Sequence, residues 1–155
     1  MKKIVVMSDN HGDHEKTSLL KELEPDAYLY VHCGDSEADN SLELSGYICV
    51  AGNNDWGLDL PRYAQFKVDD LEFLVTHGQF YGYFNREEYM MRDLKNKNCD
   101  VLLSGHTHIP SHIIKNGYHF INPGSTSWPR GGSQAGYAVI YVNGKNLQIE
   151  FKTFL

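Results

Sequence analysis

Successive short apolar runs in this chain end alike, in a small residue beside a group able to bind a cation, and few folds accommodate that recurrence. Ile4-Val5-Val6-Met7 leads into Ser8-Asp9-Asn10-His11-Gly12, Ala27 to His32 into Cys33-Gly34-Asp35, and Gly46 to Val50 into Ala51-Gly52-Asn53-Asn54-Asp55. Short β-branched runs of this kind predict strands buried on both faces. Polar groups gathered at carboxyl ends of strands mark the edge where open α/β sheets place their sites. Between the first two runs, Asp13 is the expected N-cap of a helix carrying Leu19, Leu20 and Leu23, ended by Pro25.

Beyond Pro61 the pattern shifts toward hairpins. Ala64 to Val68 and Leu71 to Val75 pair around Asp69-Asp70, and the second run empties into Thr76-His77-Gly78. Arg86 to Lys97 has helical character, with Tyr89, Met90 and Leu94 available for one face. Val101 to Leu103 is then a strand closing into Ser104-Gly105-His106-Thr107-His108. Asn116-Gly117 joins Ser111–Lys115 to Tyr118–Asn122, and Asn143-Gly144 joins Tyr137–Val142 to Leu147–Phe151, both strong hairpin signals. Alternating strands and helices early, with hairpins late, predict an α/β fold of two packed mixed β-sheets flanked by helices. A single doubly wound sheet is the alternative. The 155 residues fit one domain, 1–155, able to bury roughly two-thirds of the unfolded surface.

Charge and cysteine content narrow the function classes. A net charge of −6, with arginines only at 62, 86, 92 and 130, argues against nucleic acid as a partner and so against a nuclease. No apolar segment approaches the roughly 20 residues a membrane span needs, and Met1-Lys2-Lys3 leads into a strand without a signal-peptide pattern. No membrane association and a cytoplasmic location are the expectations. Cys33, Cys49 and Cys99 stand singly, as buried free thiols do.

Taken in order, the strand-end groups are Asp9 and His11, Asp35, Asn53, His77, then His106 and His108. Their wording, D-x-H, G-D, G-N, H-G and G-H-x-H, resembles the calcineurin-like metallophosphoesterase superfamily across nearly the whole chain. The run Asn122-Pro123-Gly124-Ser125-Thr126-Ser127-Trp128-Pro129-Arg130 looks most like its small single-domain phosphodiesterase branch, the YfcE type. That resemblance implies a four-layer α/β/β/α sandwich and two divalent metal ions, manganese first, with iron, zinc and nickel as alternatives. It implies that Asp9, His11, Asp35 and His108 hold one ion, and that Asp35, Asn53, His77 and His106 hold the other. It also implies roles in catalysis for Asp35, Asn53 and Arg130, and in-line attack on a small phosphodiester by a metal-bridging hydroxide. A cation pair supplies the attraction for phosphate that the acidic surface lacks.

Other positions admit two readings. Arg130 either binds phosphate through its planar fork or stabilises a turn. Asn122 and Ser125 are expected to shape the Pro123-Gly124 turn, and Asp55 to fix its loop by hydrogen bonds. Asn54 stands where many superfamily members carry a proton-donating histidine, and an amide cannot serve as a general acid. Phe80, Tyr81, Tyr83, Phe84 and Trp128 are assigned to core packing or a homo-oligomer contact rather than a stacking rim. His14, His32, His112 and His119 are read as surface or hydrogen-bonded, with His14 also able to face a substrate. A non-catalytic protein-interaction scaffold on the same fold, like the small subunit of retromer, is the competing function.

Overall fold

The computed structural model describes residues 1–154. In chain order its elements are β1 (Lys2–Met7), α1 (Lys16–Leu23), β2 (Leu29–His32), β3 (Tyr47–Cys49), β4 (Tyr63–Val68), β5 (Leu71–Thr76), α2 (Arg86–Asn96), β6 (Val101–Leu103), β7 (Ser111–Lys115), β8 (Tyr118–Asn122), β9 (Gly136–Asn143) and β10 (Asn146–Thr153). The strands form two five-stranded sheets, ordered β10-β9-β1-β2-β3 and β4-β5-β6-β8-β7. In the first, β1, β2 and β3 are parallel while β9 runs against β1. In the second, β5, β6 and β8 are parallel, and β4 and β7 are antiparallel edges. Both sheets are therefore mixed, and the single doubly wound sheet is excluded.

Strand periodicity explains the layering. Ile4 and Val6 share one core with Phe73, Val75, Val101 and Leu103 of the other sheet. Their neighbours Val5 and Met7 point the opposite way and meet Leu20 of α1. Leu74, Leu102 and Phe120 likewise turn outward onto Met90 and Leu94 of α2. One helix thus covers each outer face, and the central strands read as continuous apolar runs because both of their faces are covered. Each large side chain buried this way contributes about 1.5–3 kcal/mol.

Three local expectations need correction. α1 begins at Lys16 behind Glu15, which makes no capping bond. The turn that delivers Asp9 and His11 occupies the residues before it, and the Asp13 carboxylate instead accepts from Ser127 Oγ at 3.2 Å. On α2, Tyr89 is exposed, so Met90 and Leu94 dock the helix, with Met91 packed beside them. Asn143 pairs with Asn146 inside the ladder, which leaves Gly144 and Lys145 as the two turn residues. Gly144 has φ +63°, the first-position glycine of a II′ turn, whereas Asn116 and Gly117, at +52° and +83°, follow the I′ pattern.

The three cysteines are buried and free. Among the described residues, no helix is long and apolar enough to cross a membrane.

At the end of α1, Glu24 is 3% exposed and ties the first sheet together. It accepts from Tyr137 Oη at 2.6 Å and pairs with Lys3 at 2.6 Å and Lys152 at 2.9 Å. Burial alone would raise its pKa, but these donors outweigh burial and hold it at about 2. A depressed carboxylate stabilises the fold above its unfolded pKa and loses that contribution as pH falls through the folded value. Glu24→Gln is expected to cost about 2 kcal/mol at neutral pH by urea denaturation, because both lysines retain some contact with water. The gap to the native chain should close between about pH 4.5 and pH 2.

Candidate metal centre

The parallel strands of both sheets end at one edge, and every motif block sits there. Asp9 follows β1, Asp35 follows β2, Asn53 follows β3, His77 follows β5, and His106 and His108 follow β6. Five of these residues reach their places through left-handed backbone: Asp9 (φ 57°), His11 (45°), Asp35 (58°), His106 (73°) and His108 (62°). Such conformations are costly outside glycine, and they cluster where surrounding structure holds functional groups in place.

The donor atoms converge. Asp9 Oδ1 lies 3.2 Å from His108 Nε2, 3.6 Å from His77 Nε2 and 3.7 Å from His11 Nε2. Asp35 Oδ2 lies 3.3 Å from His77 Nε2 and 3.8 Å from His11 Nε2, so it touches both halves of the cluster. His11 and His108 face each other Nε2 to Nε2 at 3.1 Å. Two groups able to hold a cation result, Asp9-His11-His108 and Asp9-Asp35-His77. Asp9 is common to both groups, a position expected of Asp35 alone. Asn53 Oδ1 and His106 Nδ1 stand 3.3 Å apart beside them, with the His106 ring 5.3 Å from that of His77.

The atoms on the far side of each donor are already engaged. His77 Nδ1 donates to the Cys33 carbonyl at 2.8 Å, His108 Nδ1 to the Trp128 carbonyl at 2.7 Å, and His11 Nδ1 to Glu37 Oε2 at 2.9 Å. Each bond places the proton outward and leaves the Nε2 lone pair facing in, the arrangement typical of metal-bound imidazole. Asp9 Oδ2 accepts from Ser8 Oγ at 2.6 Å and His106 N at 3.1 Å. Its Oδ1 and His77 Nε2 are buried with no hydrogen-bond partner among the described residues. Unsatisfied buried acceptors are expensive unless something cationic meets them, and this oxygen and nitrogen donor set without thiolate suits manganese, iron, zinc or nickel. The residues therefore fit a divalent cation pair.

Charge points the same way. Burial would raise the Asp9 pKa, yet the His108, His11 and His77 imidazoles beside it keep it well below the usual carboxylate range. Asp35 is also lowered, with burial opposed chiefly by His77. His11 is raised chiefly by the Asp9 carboxylate beside it, and His77 is raised because Asp35 and Asp9 overcome its burial. The cluster draws protons onto its imidazoles, and metal binding releases such protons.

Glycine is required by contact at this edge. A Cβ on Gly52 would stand 2.1 Å from Asp35 Oδ1, and one on Gly105 2.0 Å from Ser8 Oγ and 2.6 Å from Asp9 Oδ2. The glycines of G-N and G-H-x-H thus let one strand end press against the carboxylate of another.

The remaining positions divide. Asp55 fixes its loop as expected, accepting from the backbone N–H of Asp35, Glu37 and Gly52. Asn122 accepts from Gly124 N and Ser125 Oγ donates to the Asp9 carbonyl, so both shape the turn under the cluster. Asn54 turns onto Asp35, its N–H reaching Oδ1 at 2.9 Å and its amide Oδ2 at 3.1 Å. Arg130 is exposed and bonds through its backbone, from its N–H to the His108 carbonyl and from Ser133 N and Oγ to its own carbonyl. His14 is partly exposed and bonds Glu43, and His112 stacks on His119. The aromatic assignment to core packing holds only for Tyr81; Phe80, Tyr83, Phe84 and Trp128 are exposed. Trp128 stacks on His11 with ring centroids 5.0 Å apart, and Tyr83 lies 6.2 Å from His106. Ser8 and Glu37 escaped the sequence reading although each lies within two residues of a motif carboxylate. The carbonyl partners Cys33 and Trp128 have no sequence signal, because any residue supplies a carbonyl.

His32 supports the edge from below, wholly buried. Its Nδ1 accepts from Gly34 N at 3.0 Å and its Nε2 donates to Asn10 Oδ1 at 2.8 Å, so it is neutral. Burial pushes its pKa down to about 4. Its unfolded form takes up a proton first, so its contribution is complete above about pH 6.5 and is lost as pH falls toward 4. About 3 kcal/mol should disappear over that window in urea titrations of metal-free protein. In His32→Gln that part of the pH dependence should vanish.

Two mixed sheets sharing an edge of carboxylates and imidazoles define the metallophosphoesterase class of fold. The chain belongs to the calcineurin-like phosphoesterase superfamily, whose domain matches residues 1–145. It is 30% identical to the probable metallophosphoesterase YsnB of Bacillus subtilis, over 96% of this chain and 89% of that protein. It is 28% identical to the phosphodiesterase YfcE of Escherichia coli K12, over 90% and 88% of the two chains. A conserved uncharacterized protein of Streptococcus pneumoniae TIGR4, a predicted phosphoesterase, superposes with a TM-score of 0.87 at 28% identity, covering 98% of this chain and 89% of that one.

Proposed function

We propose that this protein hydrolyses small phosphodiesters with the help of two divalent cations, manganese foremost. The observation that carries this reading is the inward convergence of Asp9 Oδ1, Asp35 Oδ2 and the Nε2 atoms of His11, His77 and His108, each with its outer atoms already bonded. Asn53 and His106 complete the donor set. When bound, the cations supply an activated water and neutralise charge on the phosphoryl oxygens. The chain's own part is to hold the carboxylates in fixed orientations through Ser8, Asn54 and the His106 N–H. Glu37 and the Cys33 and Trp128 carbonyls keep the imidazoles correctly protonated. Trp128 and Tyr83 offer rings beside His11 and His106 to a planar leaving group. With the Asn54 amide committed to Asp35 and unable to donate a proton, leaving groups of low pKa are favoured.

The test is a panel of aryl diesters, alkyl diesters and monoesters, run on chelator-treated protein with and without added manganese. Activity should depend wholly on the added metal, and bis-aryl diesters should outpace alkyl diesters by about a hundredfold. Metal-independent hydrolysis would count against the reading. The exposed Phe80, Tyr83 and Phe84 also suit a partner or a second copy of this chain. Partner binding unaffected by chelation, with no hydrolysis under any metal, would favour the scaffold.

A further inference from the structure

A cavity of about 220 Å³ lies between α2 and the outer face of the second sheet. Its walls are mostly apolar, with Met90 and Phe120 inside and Ile109 and Ile113 at 43% and 39% exposure toward solvent. Polar residues stand among that lining, Arg86, Glu87, Ser104, Thr107, Ser111 and Asn122, and two of them keep atoms without a partner. Ser104 is 1% exposed, and its Oγ has no hydrogen-bond partner among the described residues. The Arg86 guanidinium donates through Nη1 to the carbonyls of Gly78 and Gly82, at 2.9 and 3.1 Å, while its buried Nη2 has no partner. A Cβ on Gly78 would stand 2.7 Å from Nη2 and 3.6 Å from Ser104 Cβ, so the two groups share one corner.

We propose that this cavity binds a small carboxylate with an apolar tail, its carboxylate bonded to Arg86 Nη2 and Ser104 Oγ and its tail against Met90, Ile113 and Phe120. The guanidinium is half-buried, bonds carbonyls and lies over the Tyr81 ring, so it retains its full charge, which a monoanion neutralises. A phosphate dianion is a poorer match, since two donors satisfy few of its oxygens and Glu87 also lines the cavity. The volume is below that of sites for drug-sized ligands, which limits the tail to a short chain or a single ring. The site also abuts the metal centre through the chain, because Ser104 precedes Gly105-His106 and Arg86 grips the carbonyl that follows His77.

The probe is hexanoate, titrated into chelator-treated full-length protein and followed by amide chemical shifts, with hexan-1-ol as the uncharged control. Chelation prevents carboxylate binding at the metals and separates this test from the proposed hydrolysis. Saturable shifts at Ser104, Thr107 and Asn122 are expected, with a Kd of about 1 mM and no matching response to hexan-1-ol. Ser104→Ala should weaken binding about tenfold. Ile113→Trp, which fills the mouth and leaves Arg86 in place, should abolish it. Equal binding of the alcohol, undiminished affinity in Ser104→Ala, or no saturable shift in the native protein would each overturn the assignment.

Discussion

Asp35→Asn is expected to lower manganese-dependent diester hydrolysis by about a thousandfold or more, with little change in stability. The substitution conserves shape, and the new amide oxygen can still accept from the Asn54 N–H that now reaches Asp35 Oδ1 at 2.9 Å. What disappears is the anionic oxygen placed 3.3 Å from His77 Nε2 and 3.8 Å from His11 Nε2. An amide at that point presents N–H groups or a weaker acceptor to any cation, and the buried negative charge of the cluster falls by one. Initial rates on a bis-aryl diester, elemental analysis of bound metal and urea denaturation measure the three consequences. Rates equal to those of the native chain would identify the activity as a contaminant's. Metal content unchanged at two ions would remove Asp35 from the ligand set.

Gly105→Ala should be among the most damaging single-methyl changes at this edge. The added carbon would stand 2.0 Å from Ser8 Oγ and 3.0 Å from Ser8 Cβ, both in a residue with no solvent exposure. Asp9, at 2.6 Å, is equally buried and cannot retreat without giving up its bonds to Ser8 Oγ and the His106 N–H. Overpacking of this kind costs about 3 kcal/mol in stability, and metal uptake should fall with it because Asp9 is common to both cation groups. Gly117→Ala is the control: nothing lies within 4 Å of its Cβ, so its cost is the backbone strain of φ +83° alone. Denaturation midpoints and isothermal titration with manganese separate the two effects. Equal stability and equal metal affinity in Gly105→Ala and the native chain would show that the β6 loop does not press on Asp9.

Much of the fold was legible because both sheets are built from local signals. Val101–Leu103, Ser111–Lys115 and Tyr118–Asn122 are strands at their expected bounds, since β-branched runs bordered by turn residues have few alternatives. The errors came where distant groups compete for a residue. Asp13 has the chemistry of an N-cap, but Ser127, 114 positions away, takes its carboxylate. Of the aromatic segment after His77, expected in the core or at a contact between copies, Tyr81 takes the buried place, with its hydroxyl on Asp93 at 2.6 Å. The site followed the same division. The donor residues announced themselves through their motif spacing, whereas Asn54, read as a missing acid, proved to be a support for Asp35.

By itself the sequence determined which residues carry lone pairs and that each stands just past a strand, because apolar periodicity and glycine placement are properties of neighbouring residues. Only the tertiary structure decided which oxygen of Asp9 is left free, which nitrogen of each histidine turns inward, and that Arg86 and Ser104 line one cavity. Those outcomes depend on hydrogen-bond partners tens of residues away, and a buried polar atom's role is settled by whatever the packed sheets bring within about 3 Å of it.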